Sequence, residues 1–358
     1  MNKVIIIIPS LGGGGAEKVC SLLASDLSDS MEVTIIITYN DITEANKLRL
    51  GNKVNVIVLN KKKVSACLFQ YVKIIRSIKP DVVITSVAYL SLLFSTLIPI
   101  LPKTIKYIVR ETNIPSLYNR QKSFIERLVY DFIYKVFYKN YDLIVCQSND
   151  MLLDMQKVTG ILDNKKFLKI NNPIELNTNR SYREIAPPIS GDFVLAAGRL
   201  TYQKGFDTLI NYFSKIDTDM KLLIVGEGGE RGKLEGMIKA LDMEHKVILC
   251  GFTDNIADYF LSCKFFILSS RFEGFPNVVL EAMSYGCPVL AADCPGGINE
   301  IIIEGVNGVV FKQDDIESFS KAFSKIKSLN YKEVEIIESV KERYSLDIIM
   351  DEYRKVFH

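Results

Sequence analysis

The feature that most restricts this chain is a rhythm of short apolar, β-branched runs separated by stretches with helical spacing, and the rhythm occurs twice. The first set of runs covers residues 3–9, 32–38, 54–59, 81–86, 105–110 and 143–148; the second covers 193–197, 221–225, 246–250, 265–268, 288–292 and 308–311. Runs such as Val4-Ile5-Ile6-Ile7-Ile8 are apolar throughout instead of alternating, the mark of strands covered on both faces. Such strands belong to parallel sheets, whose crossovers need the helical stretches in between. Each set is enough for one doubly wound α/β domain, and 358 residues exceed what a single core usually holds. Between the sets, Asn171-Asn172-Pro173 opens a polar stretch without periodicity that runs to Pro187-Pro188, a linker by composition. The expected organisation is an amino-terminal domain over 1–172, a linker over 173–190, a second domain over 191–339 and a terminal helix over 340–358. Tyr344, Ile348, Tyr353 and Val356 keep helical spacing in that tail, which gives it an apolar face to lay back on the first domain. No internal repeat of residues accompanies the repeated architecture.

A hydrophobic content of 48%, a charged content of 24% and a formal net charge of +2 describe a globular chain, not a disordered one or a binder of nucleic acid. The charge is unevenly spread: residues 1–172 hold 23 Lys+Arg against 14 Asp+Glu, and the remainder 21 against 28. A basic first half fits a surface that meets anionic lipid or a phosphorylated acceptor; scattered solvated lysines would give the same sum. Cys20, Cys67, Cys146, Cys250, Cys263, Cys287 and Cys294 form no CxxC pair and have no metal-ligand spacing, so they are read as reduced, mostly buried thiols. The apolar opening at 4–8 is too short for a signal peptide and runs into a glycine loop. A cytoplasmic protein is expected. The longest apolar stretch, 87–101, contains Ser91, Ser95, Thr96 and Pro99 and falls short of the roughly 20 residues of a spanning helix, which makes it a core helix.

Ligands of doubly wound sheets gather at the carboxyl ends of the strands, which directs attention to four loops. Gly12-Gly13-Gly14-Gly15 ends the first strand and opens a helix; glycines admit close approach, and the helix end favours an anionic or polar group. The loop lacks the GxxxxGK[ST] pattern of a P-loop, and a tight turn without a ligand would look the same. Gly198-Arg199-Leu200-Thr201-Tyr202-Gln203-Lys204-Gly205 leads from a strand to a helix over 206–216, and its two cations can converge on one diphosphate. In Arg271-Phe272-Glu273-Gly274-Phe275-Pro276-Asn277-Val278-Val279-Leu280-Glu281, Pro276 suits a first helical turn. Glu273 then lies before the helix and Glu281 inside it, where sugar or ribose hydroxyls could satisfy a carboxylate, as could an internal Arg or Lys. Free amides at Val278 and Val279 could face a phosphate. Cys294-Pro295-Gly296-Gly297 is a second glycine turn expected against the same site.

Together, Arg199…Lys204, the pair Glu273/Glu281 within EGFPNVVLEAMSYGCPV, and PGGINEII resemble the retaining glycosyltransferases of family four, the group 1 glycosyl transferases, in their bacterial surface-polysaccharide form. The likeness extends to the amino-terminal GGGGAEK loop and to Asn172-Pro173. It implies the GT-B fold: α/β, two Rossmann-like doubly wound domains facing a central cleft. It implies that Arg199 and Lys204 hold a donor diphosphate, Glu273 touches the transferred sugar and Glu281 binds the nucleotide ribose. Gly13, Gly14, Gly15, Asn172, Gly198, Gly274, Phe275, Pro276, Asn277, Val278 and Val279 complete the implied substrate site. Retention of anomeric configuration, no metal and no cofactor beyond the nucleotide-diphosphate sugar follow from the same resemblance. One departure stands out. Many members carry a first-domain histidine near the reacting sugar, whereas this chain has only His245 and His358. The corresponding strand end reads Val109-Arg110-Glu111-Thr112-Asn113, so Arg110 and Glu111 are the candidates for acceptor contacts.

The implied activity is transfer of a hexose or N-acetylhexosamine from a UDP-sugar, with GDP-mannose as the next donor, to a lipid-linked glycan acceptor. Alternatives are a nucleotide-sugar 2-epimerase of the same fold and a non-catalytic nucleotide-sugar-binding subunit. The segment 122–139 mixes Phe124, Tyr130, Phe132, Tyr134, Phe137 and Tyr138 with Lys122, Arg127, Lys135 and Lys139. A helix of that kind can lie in a lipid interface at the inner face of the plasma membrane. Equally, its aromatics can cover the first sheet while its cations face water.

Overall fold

The computed structural model describes residues 3–176 and 189–357, and in it the apolar runs become two wholly parallel sheets. The first holds β1 (Lys3–Ile8), β2 (Glu32–Ile37), β3 (Asn55–Val58), β4 (Val82–Ser86), β5 (Lys106–Arg110), β6 (Leu143–Cys146) and β7 (Phe167–Lys169), in the order β3-β2-β1-β4-β5-β6-β7. The second holds β8 (Phe193–Ala197), β9 (Lys221–Val225), β10 (Val247–Gly251), β11 (Phe266–Leu268), β12 (Val289–Asp293) and β13 (Gly308–Lys312), in the order β10-β9-β8-β11-β12-β13. The absence of polar alternation has a direct cause, visible in β8. Val194 and Ala196 enter one core, while Phe193, Leu195 and Ala197 enter another on the opposite face of the sheet. In both sheets the strand order reverses direction once, between β1 and β4 and between β8 and β11. Those are the switch points at which doubly wound sheets leave a crevice beyond their strand ends.

The chain divides into two compact units, one formed by residues 1–173 with 347–358 and the other by 174–346. The single terminal helix expected over 340–358 is instead two, Glu333–Tyr344 and Leu346–Phe357, because Ser345 leaves helical geometry at φ −57° and ψ 153°. The second of these lies on the first unit, where the Arg354 Nε donates to Asp26 at 3.0 Å and the Lys106 ammonium to the Val356 carbonyl at 2.7 Å. Most of the expected linker, 177–188, is outside the described residues.

Strand β7 has no counterpart in the sequence reading: it is three residues long, follows Lys165 and Lys166, and buries only Phe167. The apolar stretch 87–101 is a buried helix, Ala88–Ser95, with a 3-10 turn at Ile98–Ile100, and among the described residues no helix is long and apolar enough to cross a membrane. The segment 122–139 forms a helix, Phe124–Phe137, started by a capping box between Ser123 and Glu126. Its Tyr134 is buried and Tyr130 and Ile133 pack on the core, but Phe124, Ile125, Leu128, Val129 and Phe132 are exposed.

Candidate functional site

Two loops flank the switch point of the second sheet, one leaving β8 and one leaving β11. The β8 loop makes a 3-10 turn at Tyr202–Lys204 and enters the helix Phe206–Phe213 through Gly205. Gly205 has φ +65°, and a Cβ there would come within 2.2 Å of the Ser269 carbonyl oxygen, so only glycine lets the two loops touch. Arg271 ties them from the other side. Its backbone amide donates to the Gln203 carbonyl, its guanidinium donates to both Asp207 carboxylate oxygens at 2.9 and 3.1 Å, and it lies over the Tyr202 ring at 4.1 Å. Just past β13, the Gln313 amide donates to the Ser270 and Arg271 carbonyls.

Held this way, the loops bring Lys204 and Glu273 together. The Lys204 ammonium donates to Glu273 Oε1 at 2.7 Å, and the Ser270 hydroxyl donates to the same oxygen at 2.6 Å. Glu273 is buried, while the Lys204 side chain keeps 18% exposure. Arg199, five residues before Lys204, is exposed on the same loop. The glycine turn after β12 closes against the site. The Glu273 amide donates to the Pro295 carbonyl at 2.9 Å, and Gly296, with φ +134°, sits where a Cβ would meet the Glu273 carbonyl at 2.4 Å. Cys294 lies buried beside the pair, its thiol pushed up by burial.

Gly274, Phe275 and Pro276 are buried behind Glu273, and the helix Asn277–Ser284 follows Pro276. Asn277, Val278 and Glu281 are half-buried and Val279 is fully buried. Here the expectation of free amides needs correction: the Val279 amide donates to the Pro276 carbonyl at 2.9 Å, because the first turn tightens around the proline. Ser270, Arg271, Asp207 and Gln313 were not singled out in the sequence. Ser270 stands beside the quoted motif and bonds Glu273 only 3 residues on, whereas Arg271, inside it, reaches Asp207 and Tyr202, 64 and 69 residues away, which only the strand order brings close. Among the described residues, no group of three or more His, Cys, Asp or Glu side chains could hold a metal ion.

The first unit arranges its expected residues differently. Gly13, Gly14 and Gly15 are exposed at the start of the helix Gly15–Leu27, but a Cβ on Gly14 would meet a Glu17 carboxylate oxygen at 2.2 Å. The helix end already has an acidic side chain folded over it, as its dipole favours. Arg110 and Glu111, at the end of β5, are both fully buried. The Arg110 guanidinium donates to Tyr353 at 3.1 Å, to Ser86 at 3.4 Å and to the side-chain oxygen of buried Asn172 at 2.5 Å. It thus fastens β4, the chain after β7 and the terminal helix to β5. Glu111 accepts from the Tyr138 hydroxyl through Oε1, while Oε2 has no hydrogen-bond partner among the described residues. Burial pushes its carboxyl up to about 7, against the opposing pull of Tyr138, the Thr112 amide and Arg110.

Residues 181–343 match the family model described as glycosyl transferases group 1. The chain is 30% identical over 329 residues, 89% of its own length and 88% of the other, to the N-acetylgalactosamine-N,N'-diacetylbacillosaminyl-diphospho-undecaprenol 4-alpha-N-acetylgalactosaminyltransferase of Campylobacter jejuni. It is 28% identical over 337 residues, 91% and 90% of the two chains, to the amylovoran biosynthesis glycosyltransferase AmsD of Erwinia amylovora. Its fold is similar to that of Anabaena Alr3699/HepE in complex with UDP-glucose, with a TM-score of 0.81 at 19% identity over 100% of this chain and 99% of that one.

Proposed function

The chain belongs to the group 1 glycosyl transferases, a GT-B hexosyltransferase, and from that premise we propose that it moves a hexose or N-acetylhexosamine from a nucleotide-diphosphate sugar to a lipid-linked saccharide in the synthesis of a bacterial surface glycan. The observation that carries this reading is the Lys204–Glu273 pair at the switch point of the second sheet, with Arg199 exposed on the same loop. A cation pair on a strand-to-helix loop suits a diphosphate, and a buried carboxylate beside it suits sugar hydroxyls. In the proposed reaction the bond from C1 to the diphosphate oxygen breaks and a new C1–O bond forms to the acceptor on the same face. The acceptor's proton leaves with the nucleoside diphosphate. Arg199 and Lys204 stabilise the charge that develops on the departing phosphate, in the manner of an oxyanion hole. Glu273 holds the sugar and Glu281 the ribose.

A UDP-sugar is the preferred donor, supported by the UDP-glucose complex of the Anabaena protein of the same fold. The lipid-linked acceptor is supported by the diphospho-undecaprenol in the Campylobacter enzyme's name, and work at the inner face of the membrane would follow from it. Neither sequence relative is named as an epimerase or a non-catalytic subunit. The test is transfer of labelled sugar from UDP- and GDP-sugars to lipid extract, with and without EDTA. Transfer that survives EDTA and retains the anomeric configuration is expected; a strict need for Mg²⁺ or Mn²⁺, or inversion, would overturn the proposed chemistry.

A further inference from the structure

The helix Phe124–Phe137 has two apolar faces, and the fold uses one of them. The inner face is fixed. Tyr134 is buried against Tyr138 with ring centroids 4.6 Å apart, and Tyr138 in turn donates to the buried Glu111. Rotation that would turn the other face inward is therefore blocked. That outer face carries Phe124 at 72% exposure, Ile125 at 73%, Leu128 at 54%, Val129 at 49% and Phe132 at 58%. Their spacing of i, i+1, i+4, i+5 and i+8 makes one continuous stripe. Large apolar patches on a soluble surface mark interaction sites, and this one is maintained by a capped, well-anchored helix.

The charge around the stripe says what covers it. Arg120, Arg127, Lys135 and Lys139 are exposed on the helix and its flanks, and Lys122 stands over the Tyr118 and Tyr130 rings. Only Glu126 and Asp131 oppose them in residues 120–139, and the Glu126 carboxylate is engaged by the Ser123 amide and hydroxyl. A second copy joined about a two-fold axis would bring two patches of the same positive net charge face to face. An anionic bilayer instead offers phosphates to the cations and acyl chains to the stripe. We propose that the helix Phe124–Phe137 is the docking surface of this protein for anionic phospholipid membrane, with the five exposed apolar side chains in the headgroup–acyl boundary. This rests on the lipid-linked acceptor only for its purpose. Lys61, Lys62 and Lys63 are exposed after β3, at the far edge of the sheet, about four strand spacings or roughly 19 Å from β5, and serve as a contrast.

The test is co-sedimentation of the purified full chain with vesicles of phosphatidylglycerol and phosphatidylethanolamine, against pure phosphatidylcholine, at low and high salt. Binding to the anionic vesicles at low salt is expected, weakened by salt. The double variant Phe124→Ser/Phe132→Ser should keep its melting temperature and lose at least tenfold in partitioning. Reversal of the three lysines to Glu should cost less than that. Equal sedimentation of the double variant and wild type, no sedimentation of wild type, or a dimer in solution that the double variant dissolves would each overturn the proposal. Donor turnover on a short water-soluble acceptor reports separately: it should be unchanged in the double variant, and its absence in wild type would count against the transferase reading while leaving the membrane result intact.

Discussion

Glu111 and Glu273 are both buried carboxylates on the carboxyl side of parallel strands, yet their surroundings differ in kind. Glu273 accepts from a lysine and a serine on loops that reach the surface, and the lysine itself retains exposure. Glu111 is sealed in, with a tyrosine on one oxygen, nothing on the other among the described residues, and a neighbouring arginine that donates to Tyr353, Ser86 and Asn172. The contrast separates a pair that can exchange partners with an incoming anion from a cluster that fastens the first unit together. The proposed donor chemistry in the second unit rests on that difference.

The strongest way to break this division is at the cations. Arg199→Ala and Lys204→Ala should each lower turnover by about 10²–10³-fold, the usual loss for one donor to a developing charge. Their thermal stability should part ways. Arg199 is exposed, so its removal should leave the melting temperature in place. Removing Lys204 leaves Glu273 buried without its cation, at a cost of about 3 kcal/mol that Glu273→Gln should largely restore. Wild-type turnover in either cation variant would end the phosphate role.

A second break point is Arg110. Arg110→Ala removes the donor set that joins β5 to Ser86, Asn172 and Tyr353, and should cost about 3 kcal/mol in denaturant unfolding with donor affinity unchanged. A stable Arg110→Ala protein with a raised acceptor KM would instead make Arg110 an acceptor contact.

The most gradual effect is a pH slope. With a folded pKa of about 7 against 4.5 for the unconstrained carboxyl, Glu111 keeps its proton in the folded chain over a range where the unfolded chain has lost it. Its contribution to stability is thus complete below pH 4.5 and lost as pH rises through 7, amounting to about 3 kcal/mol at most. Glu111→Gln, which mimics the protonated form, should flatten that slope and be the more stable protein at pH 8. An identical pH profile for both proteins would remove the raised pKa.

These differences also mark what local sequence can express. Strands 193–197 and 221–225 stand out because every residue between Asp192 and Gly198, or between Met220 and Gly226, suits a buried strand except the lysine that opens the second. Strand β7 does not, since two of its three residues are not buried. The break at Ser345 is hidden because Tyr344 and Ile348 keep helical spacing across it. Lys204 and Glu273 are legible as separate binding groups, but their 2.7 Å contact arises because the order β8-β11 joins loops 69 residues apart. The exposed stripe on the helix Phe124–Phe137 is legible as aromatic and basic residues; which of its apolar faces the core takes depends on Tyr134 packing against Tyr138, which reaches Glu111 on another element.

The most direct test of the donor assignment is the ratio of affinities for UDP and uridine, measured by calorimetry in the wild type and in Arg199→Ala/Lys204→Ala/Glu273→Gln, which removes both cations without stranding the carboxylate. Charge-assisted contacts of roughly 1.5–3 kcal/mol each to a diphosphate predict that the wild type prefers UDP by at least tenfold and that the triple variant binds the two alike. A preference for UDP that survives in the folded triple variant would contradict the account and place the diphosphate elsewhere.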